Sequence, residues 1–282
     1  LGALGPKPSG KALGALGMKR DRTLRTTFDR IAEQYDAARP GYPEPLIEDA
    51  IALSKLPAGG SILEIGCGPG TATLPFARRG YSMLCLELGE NLAALAAEHC
   101  RPFPAVEIRN TTFEDWPLRR QAFDLVISAS AFHWIPTGPG YAKVAAALND
   151  AGSMALFWNH SLGSDPLLRE ALERVYRERA PELGEYLPGR RSTDALAKET
   201  IAEIDASGLF HEVAVRRYPW SGEYTAEDYI RLLGTYSPMI NLKDGVRSAL
   251  FAGIREAIEL HGGVVLNQHM AVLYVARVER ES

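Results

Sequence analysis

Three glycines, Gly66, Gly68 and Gly70, follow an apolar run and precede a segment with helical periodicity. Glycine at a strand-to-helix turn lets a ligand approach the backbone, and the amides at the helix start donate hydrogen bonds to it. The dinucleotide spacing G-x-G-x-x-G would need glycine at position 71, where the sequence has Thr71. Glu64 stands just before the turn. A carboxylate there is a poor neighbour for a pyrophosphate and a good one for an ammonium group.

A second acidic residue lies at the end of the next apolar run. Glu87 closes the predicted strand 81–87, and it follows Gly66 by the spacing of about 20 residues that separates the ribose-binding acid from the glycine turn in dinucleotide folds. A surface carboxylate would give the same signal. A carboxylate that binds ribose fits a nucleoside site at the carboxyl edge of a parallel sheet, where open α/β sheets bind ligands.

Strands alternate with helices along most of the chain. The sequence predicts strands at 61–65, 81–87, 105–109, 123–128, 153–158, 211–220 and 270–278. Helices are predicted at 28–38, 45–53, 71–79, 90–99, 140–148, 165–180, 192–208, 225–235 and 243–261. Short alternating steps form parallel βαβ units, so the predicted fold is α/β, a doubly wound, mostly parallel, seven-stranded sheet with helical cap insertions.

The domain boundaries follow from composition. Residues 1–24 repeat LGALG and are rich in Gly and Pro, which predicts a disordered tail, in part an expression remnant before a native start at Met18. The rest, 25–282, is predicted to be a single domain. Its core comprises about 45–160, 192–220 and 264–280, and its cap comprises 25–44, 160–190 and 222–262.

Charge and cysteine usage exclude several functional classes. The formal net charge of -4 argues against a general nucleic-acid binder. The three cysteines lack C-x-x-C spacing and the six histidines do not cluster, so we expect neither a disulfide framework nor a metal site. No apolar run approaches the roughly 20 residues that span a bilayer. These observations predict a cytoplasmic protein without nucleic-acid or membrane partners. We expect a monomer or a homodimer.

Four segments, in order, carry a resemblance to a known family. LEIGCGPGT (63–71) resembles the nucleotide-binding motif of class I S-adenosylmethionine-dependent methyltransferases, and LCLELGENLAAL (84–95) supplies that family's ribose-binding acid. TTFEDWPL (111–118) is similar to the segment G-D-A-E-D-L-P-F, which brackets the adenine. Thr112 replaces the usual Asp and Phe113 the usual Ala, which leaves backbone donation from Phe113 or Glu114 to the adenine. FDLVISASAFHWI (123–135) is similar to the block beside the methionine part of the cofactor.

The resemblance implies S-adenosyl-L-methionine as the methyl donor, S-adenosyl-L-homocysteine as the product, and no metal. The residues that it assigns to the cofactor are Glu64, Gly66, Cys67, Gly68, Gly70, Thr71, Glu87, Leu88, Thr112, Phe113, Glu114, Ser128, Phe28 and Tyr35.

The N-terminal segment narrows the resemblance. FDRIAEQYDAARPGYP (28–43) resembles a segment of trans-aconitate-methyltransferase-like and methyltransferase type 11 enzymes, small-molecule methyltransferases whose leading helices fold over the cofactor. Phe28 and Tyr35 fall on one face of the predicted helix, where they would cover the sulfonium or the pocket roof.

The resemblance implies methyl transfer to a small molecule, and we expect O-methylation of a carboxylate or a hydroxyl. An ionised carboxylate needs no general base, so arginines and tyrosines, with Arg39 and Tyr35 as candidates, would position it. A hydroxyl would need His133 or His160 as a proton acceptor. Trp134, Arg39 and Tyr236 are the candidate acceptor-binding residues.

Each of these candidates has a structural alternative. His133 and Trp134 would also suit a packed core, Arg39 would also suit a partner for a helix terminus, and Tyr236 and Arg231 would also suit core and surface positions.

Other functions stay open on the sequence alone. They are N- or C-methylation of a small metabolite, methylation of an acyl group tethered to a carrier protein, a catalytically silent S-adenosylmethionine-binding protein, and a nicotinamide-dependent oxidoreductase.

Overall fold

One sheet organises residues 25–184 and 192–280, the part of the chain that the computed structural model describes. Its strands are β1 (Ser61–Ile65), β2 (Ser82–Glu87), β3 (Val106–Asn110), β4 (Phe123–Ala129), β5 (Leu148–Gly163), β6 (Phe210–Thr225) and β7 (Val264–Val278). They are arranged in the order β3-β2-β1-β4-β5-β7-β6. All neighbours are parallel except β7, which runs antiparallel to β5 and β6. This confirms the predicted mostly parallel, seven-stranded sheet.

Helices cover both faces of the sheet and its carboxyl edge. They are α1 (Ala32–Ala38), α2 (Glu44–Ser54), α3 (Thr73–Ala77), α4 (Glu90–Cys100), α5 (Thr137–Ala147), α6 (Pro166–Arg179), α7 (Thr193–Ser207), α8 (Ala226–Leu233), α9 (Ser237–Ile240) and α10 (Asp244–Leu260). Three-residue 3₁₀ turns lie at Asp29–Ile31, Phe132–Trp134 and Pro181–Leu183. The predicted tail, 1–24, lies outside the described residues.

Buried apolar strands hold the centre of the sheet. β1, β2 and β4 are short runs whose residues are almost all buried, as expected where helices cover both faces of a parallel sheet. Alternate residues of each strand therefore enter two apolar cores: Leu63 lies in one, and Ile62 lies in the other. The bounds predicted for these strands from apolar periodicity are close to those observed.

The three strands at one side of the sheet are longer than predicted. β5 continues to Gly163, β6 continues to Thr225, and β7 begins at Val264. Most of the added residues are polar or partly exposed, which weakens the apolar signal of a strand, although Val265 is fully buried. They pair with one another in antiparallel register, with a shift between Ser161 and Gly163. Together they form a ribbon that extends past the carboxyl ends of the parallel strands and connects to the cap helices.

The cap has an apolar cluster of its own. Residues of α6, α8 and α10 pack together around buried side chains that include Leu172, Leu233 and Leu250. The predicted helix 28–38 is split, because Ile31 has φ -123° and ψ 28°, which ends a 3₁₀ turn before α1 begins.

Among the described helices none is long and apolar enough to cross a bilayer. The described side chains also include no group of three or more His, Cys, Asp or Glu arranged to hold a metal ion.

Helix α10 allows a matched test of the cap cluster. Leu250 is fully buried and Leu260 is 77% exposed. We expect Leu250→Ala to lower the free energy of unfolding by about 2–5 kcal/mol, because it leaves a cavity. Leu260→Ala, the same substitution on the same helix, should change it by less than about 0.5 kcal/mol. Urea denaturation measures both values, and equal losses would contradict the described packing.

Candidate functional site

The glycine turn after β1 has a backbone shape that favours glycine. Gly66, Gly68 and Gly70 have φ angles of 69°, 57° and 92°, in the left-handed region that glycine enters without steric cost. A Cβ on Gly66 would also lie 2.6 Å from the Cβ of Ala131, in the loop after β4. The amides of Gly66 and Cys67 both donate to the Leu86 carbonyl of β2, at 2.8 and 3.1 Å. The turn is thus fixed against both neighbouring strands, and a cradle of bare backbone results.

Glu64 is a fully buried carboxylate between the end of β1 and the start of α3. Its Oε2 accepts hydrogen bonds from the Thr73 hydroxyl at 2.6 Å and the Cys85 thiol at 3.6 Å. Its Oε1 is buried and has no hydrogen-bond partner among the described residues. Burial raises the pKa of Glu64 to about 7, against the lowering effect of these hydrogen bonds. A buried acceptor without a donor is costly, so this oxygen is suited to receive a donor from a ligand.

Glu87, at the end of β2, links two loops. Its Oε2 accepts the amide of Gly68 at 2.8 Å, and its Oε1 accepts the amide of Gly89 at 2.8 Å. Burial raises the pKa of this carboxyl, and the two amide hydrogen bonds oppose the rise. The acid predicted to bind ribose therefore also shapes the glycine turn, and each carboxylate oxygen keeps a second lone pair for a further donor.

The N-terminal segment 25–43 crosses this edge of the sheet; we call it the strap. Asp29 accepts the amides of Asn91 and Leu92 at 2.8 and 3.1 Å, so its carboxylate caps the N-terminus of α4. Arg25 forms an ion pair of 2.8 Å with Glu114 in the loop after β3. The strap thereby joins the loops that follow β2 and β3.

Phe28 contacts both Tyr35, the other aromatic residue of the predicted roof, and Trp134, which follows β4. Its ring centroid lies 5.8 Å from the ring centroid of Tyr35 and 6.1 Å from that of Trp134, and both contacts are edge-on. The predicted pair of roof aromatics, Phe28 and Tyr35, is therefore in direct contact.

The segment predicted to bracket the adenine is well ordered by its own contacts. Thr112 bonds to Asp115 at 2.6 Å, and the buried ring of Phe113 stacks on Trp116. Leu88 lies at the same edge, and its carbonyl accepts the Asn110 amide at 2.9 Å.

A cleft of about 600 Å³, including its open mouth, lies beside the glycine turn. It is bounded by the turn, the strap, the ends of β4 and β5, and the cap. Its lining residues are Tyr35, Arg39, Pro40, Tyr42, Gly66, Cys67, Gly68, Pro69, Thr71, Ala72, Ala129, Ser130, Asn159, Tyr236 and His269.

Arg39 connects the strap to the cap at the wall of this cleft. Its guanidinium lies 5.0 Å from the ring centroid of Tyr35 and 4.4 Å from that of Tyr236. One of its nitrogens donates to the Thr235 carbonyl, just beyond the C-terminus of α8, at 2.9 Å. The structural alternative for Arg39, a partner at a helix terminus, is therefore present in the Thr235 carbonyl. Arg39 also lines the cleft, as its predicted role in binding the acceptor requires.

Several predicted site residues lie away from the cleft lining. Ser128 is fully buried, and its hydroxyl donates to the Ile65 carbonyl at 2.8 Å; Ser130, two residues later, reaches the cleft instead. His133 accepts a hydrogen bond of 3.2 Å from the indole of Trp158. His160 is paired in the sheet with Met270 of β7. Met270 packs against an apolar core on the face of the sheet opposite to that of its neighbour His269, which lines the cleft. Arg231 forms an exposed ion pair with Asp228.

Sequence reasoning missed the cleft residues Tyr42, Ser130, Asn159 and His269. The hydroxyls of Tyr42 and Ser130 form a hydrogen bond of 3.0 Å. Ser130 has a φ angle of 54°, an unusual backbone conformation for serine. Ser130 stands within the quoted block after β4, so its position was available as a signal. His269 lies in a polar stretch that was not predicted as strand, and no motif marks it.

The described residues fit S-adenosylmethionine. The glycine cradle leaves room at the backbone, since no heavy atom lies within 4 Å of a Cβ built on Gly68. Glu64 has a buried acceptor without a donor among the described residues, and both oxygens of Glu87 keep a second lone pair, although neither residue is in the cleft lining itself.

Comparisons with known proteins agree with this fit. A family model described as "Methyltransferase domain" matches residues 62–152. An uncharacterised methyltransferase of Mycobacterium tuberculosis is 27% identical over 258 residues, 91% of this chain and 95% of the relative. A malonyl-[acyl-carrier protein] O-methyltransferase of Geobacter sulfurreducens is 30% identical over 207 residues, 70% of this chain and 76% of the relative.

Among solved structures, the fold is similar to that of a putative type II methyltransferase from Anaeromyxobacter dehalogenans. That similarity has a TM-score of 0.62 at 22% identity, and it covers 85% of this chain and 97% of the other. The chain therefore belongs to the class I S-adenosylmethionine-dependent methyltransferases.

Proposed function

We propose that this methyltransferase transfers the methyl group to a carboxylate oxygen of a small molecule. The observation that carries the proposal is Arg39, a cation held between Tyr35 and Tyr236 at the wall of the cleft. A guanidinium whose plane is fixed by aromatic rings is well suited to orient a carboxylate. The Geobacter relative is by name an O-methyltransferase of a malonyl group, which carries a free carboxylate.

The cofactor would occupy the cradle and the neighbouring loops. Glu64 would receive its ammonium group and Glu87 its ribose, while the backbone at Phe113 and Glu114 would meet the adenine. Thr71 and Cys67 line the cleft beside the turn, and Leu88 lies next to Glu87. Phe28 and Tyr35 would cover the cofactor from the strap. Ser128 is not part of this proposed cofactor site, because its buried hydroxyl donates to the Ile65 carbonyl.

The chemistry needs little from the protein beyond orientation. S-adenosylmethionine, when bound, supplies a methyl group on a sulfonium, which is already an activated electrophile. A carboxylate is ionised at neutral pH, so no proton has to leave. The work of the residues is then to hold the carboxylate oxygen in line at near-attack distance and to exclude water. Arg39 holds the acceptor, and the strap aromatics close the cleft.

A histidine base is not part of this proposal. His133 already accepts the Trp158 indole, and His160 lies on a strand opposite Met270, away from the cleft lining. A hydroxyl acceptor would need one of them to turn toward the cleft.

A product-specific screen tests the reaction. The enzyme and methyl-labelled S-adenosylmethionine would be incubated with mono-, di- and tricarboxylic acids and with a malonyl thioester of N-acetylcysteamine. Methyl esters release volatile methanol in base, whereas ethers, N-methyl and C-methyl products do not. We expect base-labile product from at least one acid. Base-stable product would overturn the carboxylate assignment, and no product with retained cofactor binding would favour a silent binding protein.

The cradle itself predicts a sharp contrast between two glycines. Gly66 and Gly59 have φ angles of 69° and 70°, but only Gly66 has a heavy atom within 4 Å of an added Cβ. We expect Gly66→Ala to weaken S-adenosylhomocysteine binding by more than about tenfold, a loss of about 1.4 kcal/mol, because the turn must shift from Ala131. Gly59→Ala bears the same backbone strain and should retain the affinity. Calorimetric titration compares them; equal affinities would contradict the prediction.

The raised pKa of Glu64 predicts two effects of pH: as pH rises, the stability of the free protein should fall and the affinity for S-adenosylhomocysteine should increase. Its pKa of about 7 in the folded chain exceeds the ordinary 4.5. The free protein should therefore lose stability as pH rises from 4.5 to 7, because the folded state resists ionisation. Binding an ammonium group favours the ionised form, so S-adenosylhomocysteine should bind more tightly as pH rises toward 7 and should release a proton at pH 6.

Calorimetry at pH 6 in two buffers with different ionisation heats measures that proton release. Glu64→Gln should bind more weakly, and its affinity should not change between pH 6 and 8. Proton release that persists in the Gln variant would refute the role of Glu64.

Arg39 gives a test on the acceptor side. For a carboxylate found in the screen, Arg39→Ala should raise KM by about 10–100-fold, since charge-assisted hydrogen bonds contribute about 1.5–3 kcal/mol. The Kd of S-adenosylhomocysteine should stay within about threefold. Arg231→Ala removes an exposed arginine of the cap helix α8 and is the control. A KM rise of the same size in both variants would refute the assignment.

A further inference from the structure

The ribbon of β5, β6 and β7 presents a buried polar cluster to the cleft. Directly opposed residues in antiparallel strands share a face, so Ser161 of β5 and Trp220 of β6 lie on the same face as His269 of β7, to which each is paired. Asn267, two residues earlier on β7, faces the same way. His269 and Asn267 are only 2% and 1% exposed, yet His269 lines the cleft. Buried polar side chains on a strand are costly unless their hydrogen bonds are satisfied.

The imidazole of His269 is held on its face and at its Nε2 atom. The ring stacks on Trp220 at 4.1 Å with 7° between the planes. Nε2 lies 2.9 Å from the Asn267 Nδ2 and 3.4 Å from the Tyr224 hydroxyl. Within the described chain both hydrogen bonds of His269 are made at Nε2, so Nδ1 is available to a ligand in the cleft.

The orientation of Asn267 determines which nitrogen carries the hydrogen. The Ser161 hydroxyl donates to the Asn267 Oδ1 at 3.2 Å, so the amide nitrogen faces His269. An amide NH₂ group can only donate, so in this orientation of the Asn267 amide the Nε2 atom accepts. A neutral imidazole has one N–H, which is then on Nδ1.

His269 also stays uncharged at neutral pH. Burial lowers its pKa to about 4. An imidazole that resists protonation is a poor general base but a good neutral hydrogen-bond donor.

We infer that His269 binds the methyl acceptor by donating a hydrogen bond from Nδ1 to a second, uncharged oxygen of that molecule. This inference rests on the proposed function and narrows its substrate class. Arg39 recognises a carboxylate, and His269 recognises a carbonyl or ether-type oxygen elsewhere on the same acid. The favoured acceptors are oxo acids and acyl derivatives with a free carboxylate, rather than plain fatty acids.

Histidine ¹⁵N spectroscopy tests the tautomer without any need for activity. In the complex with S-adenosylhomocysteine, His269 should have a protonated Nδ1 and an unprotonated Nε2 from pH 8 down to about pH 5. A His269→Phe sample assigns the signal. A protonated Nε2 or an imidazolium at pH 7 would overturn the inference, whatever the outcome of the carboxylate screen.

Matched probes test the recognition. Butyrate and 3-oxobutyrate have the same chain length and differ by one carbonyl oxygen, which can only accept. The complex with S-adenosylhomocysteine should bind 3-oxobutyrate about tenfold more tightly, and its Nδ1 proton should shift only with that acid. Equal or undetectable binding of both acids to this complex would overturn the inference, whereas methylation that fails despite selective binding would count against the proposed function alone.

Variants separate donation from packing. His269→Phe keeps a ring for Trp220 but removes the donor, so it should bind the two acids equally. His269→Asn places an amide N–H near the position of Nδ1 and should keep at least a threefold preference for 3-oxobutyrate. Both should bind S-adenosylhomocysteine like the parent protein and unfold within a few degrees of it. A preference that survives in His269→Phe would show that the second oxygen is bound elsewhere.

Discussion

The Glu87 carboxylate is the constraint on which the edge of the sheet depends. It accepts the amides of Gly68 and Gly89, and so it ties the turn after β1 to the loop after β2. Leu86 adds a second tie through its carbonyl, which accepts two amides of the same turn. Removing this buried carboxylate would cost more than the net contribution of its hydrogen bonds, because the two backbone donors would then be left unpaired. The cradle is thereby formed before a ligand arrives, so binding need not order it.

The strap is held to this preformed edge by polar contacts along its length and by the aromatic contact of Phe28 with Trp134. Asp29 meets the N-terminus of α4, and Asp36 lies 3.5 Å from His99, whose other nitrogen bonds to the Pro69 carbonyl of the glycine turn. Exposed contacts of this kind contribute about 0–1 kcal/mol each. The strap is therefore held by weak exposed contacts together with the part-buried contacts of Arg25 with Glu114 and of Arg39 with Thr235.

Local sequence signals predicted the parts of the fold that local physics determines. The buried strand β1 was predicted at its observed bounds, and the turn at Gly66 was predicted because its glycines serve a backbone need. The split at Ile31 was missed, since helical periodicity continues through it. The tie between Glu87 and Gly68 was missed for another reason: a residue type and a spacing do not reveal which donors a carboxylate has already accepted.

His269 shows where sequence reasoning must fail. Its neighbours Trp220 and Ser161 are distant along the chain, and only the pairing register of three long strands brings them together. A shift of one residue would turn His269 to the opposite face. The cradle comes from consecutive residues, whereas the cleft wall comes from the strap, the ribbon and the cap. In the proposed function, substitutions in those three elements would therefore change the acceptor while the cradle keeps its shape.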